Sequence, residues 1–259
     1  MPIYARKIFE FFYLLFFLST SAVLAIESDV KVAVIHFQPY FQQVSSNVGR
    51  LLQLAEEAGS NGAKMVVFPE MATSGYSYFN REQIRQVAET IPGKTTELFS
   101  LVAKRYAMYI ILGLPEYDCS SNLFYNTAVL INPSGEVGGI YRKHSHLMES
   151  SWSALRVGQV PVFETIYGKL AILICADISY SELSAQASSK EAKFLILPTN
   201  GGVNVDLLRA RAVEGQCHVI LSNRYGNERE AYLTSENSES FNEETLTLIP
   251  ALQNLFKID

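Results

Sequence analysis

The sequence predicts an α/β fold, a sheet of strands with covering helices, and two observations predict it. Short apolar runs bounded by turn signals alternate along the chain with stretches of helical apolar spacing, the order expected of strands joined through helices. The chain has 259 residues, 48% of them hydrophobic, enough for one large domain with a substantial core.

"KVAVIHFQP" reads as the first strand. In "SSNVGRLLQLAEEAGSNGAK", Val48, Leu51, Leu52, Ala55 and Ala58 recur at helical spacing. Ser45 or Ser46 is the expected cap at its start, and Gly59 or Gly62 at its end. "MVVF" is a second strand, "TTELFSLVAKRY" a second helix and "YIILGLPE" a third strand. "NTAVLINPSGEVGGIYRK" reads as a β-hairpin turning at Asn132-Pro133-Ser134-Gly135. "KLAILIC", "FLILPTN" and "HVILSNRYG" follow as strands, separated by the helical stretches "SELSAQASSKEA" and "VDLLRARAVEGQ".

The two ends differ from this core. In residues 1–25, Arg6 and Lys7 precede an apolar run of about 14 residues and small residues around Val23-Leu24-Ala25, the layout of a secretory signal peptide. The run is short for a membrane span, which takes roughly 20 apolar residues. The expectation is a secreted or periplasmic protein with no stable membrane insertion after cleavage, or a membrane-anchored one if the segment is retained. The domain then covers 26–226. Residues 227–259 read as an acidic, Ser-rich tail, in which "TLTLIPALQNLFKID" is a candidate last strand or helix.

Composition excludes some classes. The net charge is −5, and the chain has no basic cluster beyond Tyr141-Arg142-Lys143, so no nucleic-acid partner is expected. Cys119, Cys175 and Cys217 are an odd count for an exported chain, so at least one stays unpaired and a Cys119–Cys217 disulfide is left open. Their spacing matches no metal site, and no metal or other cofactor is expected.

In open α/β sheets ligands bind beyond the carboxyl ends of the strands. Glu70 stands after "MVVF", Glu116 after "YIILGLP", Lys143 at the end of the hairpin, Cys175 after "LAILI", and Thr199-Asn200 after "FLILP". One thiol, one amine and two carboxylates thus occupy matching positions. Taken singly, each is more often a buried small residue or a solvated loop residue. Together they supply a mechanism. A cation at Lys143 lowers the thiol pKa, Glu70 acts as general base, and Lys143 with the Ala176 backbone N–H stabilises an oxyanion.

"VVFPEMATSGY", "YRK" and "AILICADISYSEL", in that order, resemble the three motifs of the nitrilase superfamily of carbon–nitrogen hydrolases, and the likeness runs from about Lys31 to Gly226. The resemblance implies a Glu–Lys–Cys triad at Glu70, Lys143 and Cys175. It places at Glu116 a second glutamate that positions substrate and lysine. It also implies a four-layer αββα sandwich, commonly a homodimer, and a small-molecule amide as substrate. Three departures stand out. Serines replace the Arg and Pro expected after Cys175, Gly201 replaces an aromatic, and the family's closing strand pair is not recognisable after Gly226. The sandwich is therefore expected either to lack its C-terminal strands or to have diverged there.

Amide hydrolysis leads, ahead of nitrile hydrolysis, because Ala176-Asp177 stand where nitrile hydrolases commonly carry Trp-Glu. The alternatives are an N-acyltransferase using the same triad, a non-catalytic remnant acting as a binding protein, and a Cys–His hydrolase using one of four histidines. Asp177 and Glu182 are read as anchors of the turn and of the next helix N-terminus.

Overall fold

The structure is a computed structural model that describes residues 30–144, 149–226 and 228, and the backbone of 245–249. The N-terminal segment expected to be a signal peptide lies outside the described residues.

The strands are β1 (Val32–His36), β2 (Met65–Val67), β3 (Tyr109–Asp118), β4 (Leu123–Ile131), β5 (Val137–Arg142), β6 (Val162–Phe163), β7 (Leu170–Ile172), β8 (Phe194–Thr199), β9 (His218–Asn223) and β10 (Thr245–Ile249). The α-helices are α1 (Val44–Ser60), α2 (Arg81–Arg85), α3 (Lys94–Tyr106), α4 (Ser181–Ser189) and α5 (Val205–Gly215). They form a six-stranded sheet in the order β10-β1-β2-β3-β4-β5 and a four-stranded sheet in the order β6-β7-β8-β9.

Alternation along the strands sorts side chains into two cores. Val32, Val34, Met65, Val67, Tyr109 and Ile111 face the second sheet and pack with Leu170, Ile172, Phe194 and Ile196. Ala33, Ile35, Val66, Phe68, Ile110 and Leu112 face the other way, against Leu51, Ala55 and Ala58 of α1 and Phe99, Val102 and Ala103 of α3. Leu183 and Ala187 of α4 and Leu207 and Leu208 of α5 pack with the second sheet. Two sheets face each other between helices, as the αββα resemblance implies. The sheets are also tied directly, because the Ser222 hydroxyl on β9 donates to the Ile35 carbonyl on β1 at 2.7 Å.

The predicted hairpin forms, with β4 and β5 antiparallel. β3 and β4 make a second antiparallel pair, which carries Glu116 opposite Tyr125. Two local expectations differ. Helix α1 begins after Gln43, without a side-chain cap, and Ser45 and Ser46 lie inside its first turn. At its other end Asn61 is the cap residue and donates its side-chain amide to the Glu57 carbonyl. The short helix α2 has no apolar period long enough to announce it. Its start is fixed by the Asn80 side chain, which accepts from the Gln83 N–H.

The C-terminal segment is not wholly irregular. β10 runs antiparallel to β1, with Val32 opposite Ile249 and His36 opposite Thr245. A strand therefore covers the edge of β1 that the sequence left exposed. The Cys119–Cys217 disulfide does not form, and all three thiols are free.

Candidate active site

Cys175 does not sit at the last residue of a strand. Strand β7 ends at Ile172, and Leu173 still donates to the Ile196 carbonyl at 3.0 Å. Ile174 is extended, and Cys175 then opens a 3₁₀ turn, Cys175–Ser179, with φ at +49°. That left-handed conformation is strained for a non-glycine residue and turns the chain sharply at the thiol. Buried Asp177 holds the turn. Its Oδ2 accepts from the Ile174 N–H at 3.2 Å, the Tyr141 hydroxyl at 2.8 Å and the His144 N–H at 3.2 Å. Asp177 is thus an anchor, as expected, and it joins the cysteine turn to the strand that delivers Lys143.

Lys143 is 2% exposed and Glu70 is 2% exposed, a burial that charged groups tolerate only when paired. Lys143 Nζ donates to Glu70 Oε1 at 2.7 Å, and it also donates to Oε1 of Glu149, which is fully buried. The Asn126 side-chain amide donates to Glu70 at 2.7 Å and to Glu149 at 3.0 Å, so one β4 residue spaces both carboxylates. The Lys143 N–H donates to the Asn126 carbonyl at 2.8 Å, which fixes the lysine to the same strand.

The lysine's second carboxylate is therefore Glu149, not Glu116. Glu116 lies on β3, where Arg142 reaches it at 2.5 and 2.9 Å and the Thr127 hydroxyl at 2.7 Å. The alternation of β5 explains this, since adjacent Arg142 and Lys143 project to opposite sides. Glu149 escaped sequence reasoning because it ends no strand and sits in an isolated 3₁₀ turn, Glu149–Ser151.

The loop bearing Glu70 needs a glycine elsewhere. A Cβ at Gly113 on β3 would come within 2.3 Å of the Pro69 carbonyl oxygen and 2.8 Å of Glu70 Cα. The backbone approaches that closely only because Gly113 has no side chain.

The electrostatics differ from the simple cation–thiol expectation. Burial, and then the Glu70 charge, push the Cys175 thiol up to about 12 against the opposing pull of Lys143. The lysine's charge is already engaged by two carboxylates, so the resting group is a thiol. Burial raises Glu70 to about 7, against the lowering pull of Lys143. Burial alone would lower Lys143, but Glu70, Tyr76 and Glu149 together hold it well above its ordinary range. A carboxylate poised near neutrality beside a neutral thiol suits proton transfer.

A cavity of about 320 Å³ opens onto this cluster. Lys143, Cys175, Ala176 and Tyr76 stand at its reactive end, and Leu197, Leu208 and Leu221 are among its apolar wall residues. Asn200 lines it as well, and its carbonyl lies 4.0 Å from the Cys175 sulfur. Gly201, with φ at +142°, and Gly202 also line it, and a Cβ at either would meet nothing within 4 Å, so the missing aromatic leaves open space. Glu116 is not in the lining. Neither are the described histidines, and His144 instead stacks edge-on against Tyr180. His146 lies outside the described residues.

Fold and site together define an enzyme of the two-sheet α/β class, with a thiol beside a buried lysine–carboxylate cluster. The chain belongs to the carbon-nitrogen hydrolase family, whose model matches residues 31–244. It is 34% identical over 208 residues to omega-amidase NIT2-A of Xenopus laevis, covering 73% of this chain and 72% of that one. It is 31% identical over 205 residues to a protein named nitrilase from Pyrococcus abyssi, covering 77% of each. Among solved structures, Saccharomyces cerevisiae Nit3, a member of branch 10 of the nitrilase superfamily, matches with a TM-score of 0.70 at 26% identity over 79% of both chains. The family match runs past Gly226.

Proposed function

We propose that this enzyme hydrolyses the C–N bond of a linear amide through a thioester on Cys175. The carrying observation is Lys143, held by Glu70 and Glu149, standing at the cavity end that holds the thiol. Glu70 takes the thiol proton as sulfur attacks the amide carbon. Lys143 and the Ala176 N–H stabilise the oxyanion. Collapse of the tetrahedral intermediate breaks the C–N bond, and the nitrogen leaves as ammonia or an amine carrying the proton from Glu70. Water then attacks the thioester as Glu70 takes its proton, the C–S bond breaks, Glu70 returns the proton to the departing sulfur, and the carboxylic acid and free thiol are released. Glu149 positions the lysine, while Glu116 belongs to the Arg142 pair and takes no part. The omega-amidase relatives favour an amide over a nitrile substrate. The apolar N-terminal run supports export of the enzyme.

The test is ammonia release from a panel of primary amides by the purified protein, with mass spectrometry of the Cys175 peptide after rapid quenching. The expected result is turnover, an acyl adduct on that peptide, and loss of both in Cys175→Ala. Full turnover by Cys175→Ala overturns the mechanism. Absence of turnover by the folded wild-type protein on every amide favours the binding-protein alternative.

A further inference from the structure

Asn200 is 6% exposed, it lines the cavity, and neither its side-chain oxygen nor its side-chain nitrogen has a hydrogen-bond partner. A buried amide left unpaired is costly, so a protein rarely keeps one without use. Its own carbonyl lies 4.0 Å from the Cys175 sulfur, which puts the residue beside the attacked carbon. Beyond it the wall is aliphatic, formed by Ile178, Leu197, Leu207, Leu208 and Leu221. Among the described lining residues the single charged group is Lys143, and two carboxylates engage it. A substrate carboxylate would find no further cation there, and burying it unpaired is costly.

Building on the amide-hydrolase reading, we propose that this cavity selects amides whose acyl group is uncharged, bears a neutral hydrogen-bonding group close to the scissile carbonyl, and continues as an aliphatic chain. Asn200 is the specificity-determining residue. Its amide offers a donating NH2 group and an accepting oxygen, which a hydroxyl or keto oxygen next to the carbonyl engages. The open space at Gly201 and Gly202 admits the chain.

The experiment measures binding as well as turnover. Three amides serve as probes: hexanamide, α-hydroxyhexanamide and the monoamide of adipic acid. Calorimetry on Cys175→Ala reads affinity without chemistry, and kcat/KM on the wild-type protein reads turnover. The expected order is α-hydroxyhexanamide over hexanamide by about tenfold, the worth of one good hydrogen bond, with the adipic monoamide weakest. Adding Asn200→Leu removes the preference for the hydroxyl. Asn200→Asp, nearly the same shape, still accepts from the hydroxyl and keeps the preference for it, which separates recognition from misfolding. Equal or tighter binding of the adipic monoamide overturns the inference. So does a hydroxyl preference that survives Asn200→Leu, or binding of none of the three probes. If the binding order holds and no probe is hydrolysed, the hydrolase reading fails and the pocket assignment stands.

Discussion

The Tyr141 hydroxyl donates to Asp177 Oδ2 at 2.8 Å, and this bond joins the strand that carries Lys143 to the turn that carries Cys175. Tyr141 and Asp177 are both buried, so this short, dry contact, together with the His144 N–H bond to the same oxygen, holds the two halves of the reactive cluster in register. Tyr141→Phe leaves Asp177 one donor short. We expect a loss of about 1–3 kcal/mol in thermal or denaturant unfolding, with a fall in kcat larger than any rise in KM. A variant with wild-type kcat would show that the turn keeps its shape without this bond.

The pH dependence has a definite sign. Glu70 accepts a proton only when ionised, and burial raises its pKa to about 7. The kcat/KM therefore falls as pH drops through about 7, by about tenfold per unit below it. This limb belongs to the coupled Glu70–Lys143–Glu149 cluster. With the thiol raised to about 12, no second limb from a resting thiolate is expected between pH 5 and 7. A flat profile from pH 5 to 8 for the chemical step would remove Glu70 as the base.

Glu149 and Glu116 should separate cleanly. Glu149→Gln leaves buried Lys143 with one carboxylate, and we expect kcat to fall by about 10²-fold or more with the fold retained. Glu116→Gln weakens the Arg142 pair and costs about 2 kcal/mol of stability. Kinetics and melting curves on both variants decide between the assignments, and equal kinetic damage from each would return Glu116 to the site.

Gly113→Ala places a methyl group against the Pro69 carbonyl and the Glu70 backbone. Both neighbours are main chain, so Glu70 itself must move. The expected outcome is a fall in activity of about 10²-fold, out of proportion to the change in melting temperature. A fully active Gly113→Ala protein would show that the Glu70 loop tolerates displacement.

Glu228 accepts from the Tyr76 N–H at 2.7 and 3.0 Å and from the Ser77 N–H at 3.2 Å, and it pairs with Arg224. It clamps the loop that places Tyr76 over the lysine, 5.5 Å from the ring centroid to Nζ. Glu228→Ala orphans those N–H groups and should cost about 2 kcal/mol in unfolding measurements. Glu228→Gln retains part of the clamp and should fall between the two proteins.

The sequence by itself determined the alternation of elements, the family motifs, and the strand ends that present Glu70, Lys143 and Cys175. These follow from apolar periodicity and turn residues, which act within a dozen positions of one another. Only the tertiary structure decided that Glu149 rather than Glu116 meets the lysine. Side-chain alternation sends Arg142 to Glu116 and leaves Lys143 to a residue from an irregular turn. Asn126 and Gly113 were equally unreadable, because one acts by bridging carboxylates from two other segments and the other by the side chain it lacks. The thiol's resting state was hidden for a related reason. Motif order places a cation near a cysteine, but burial and the partners already holding that cation set the thiol's pKa, and both come from packing between segments far apart in the chain.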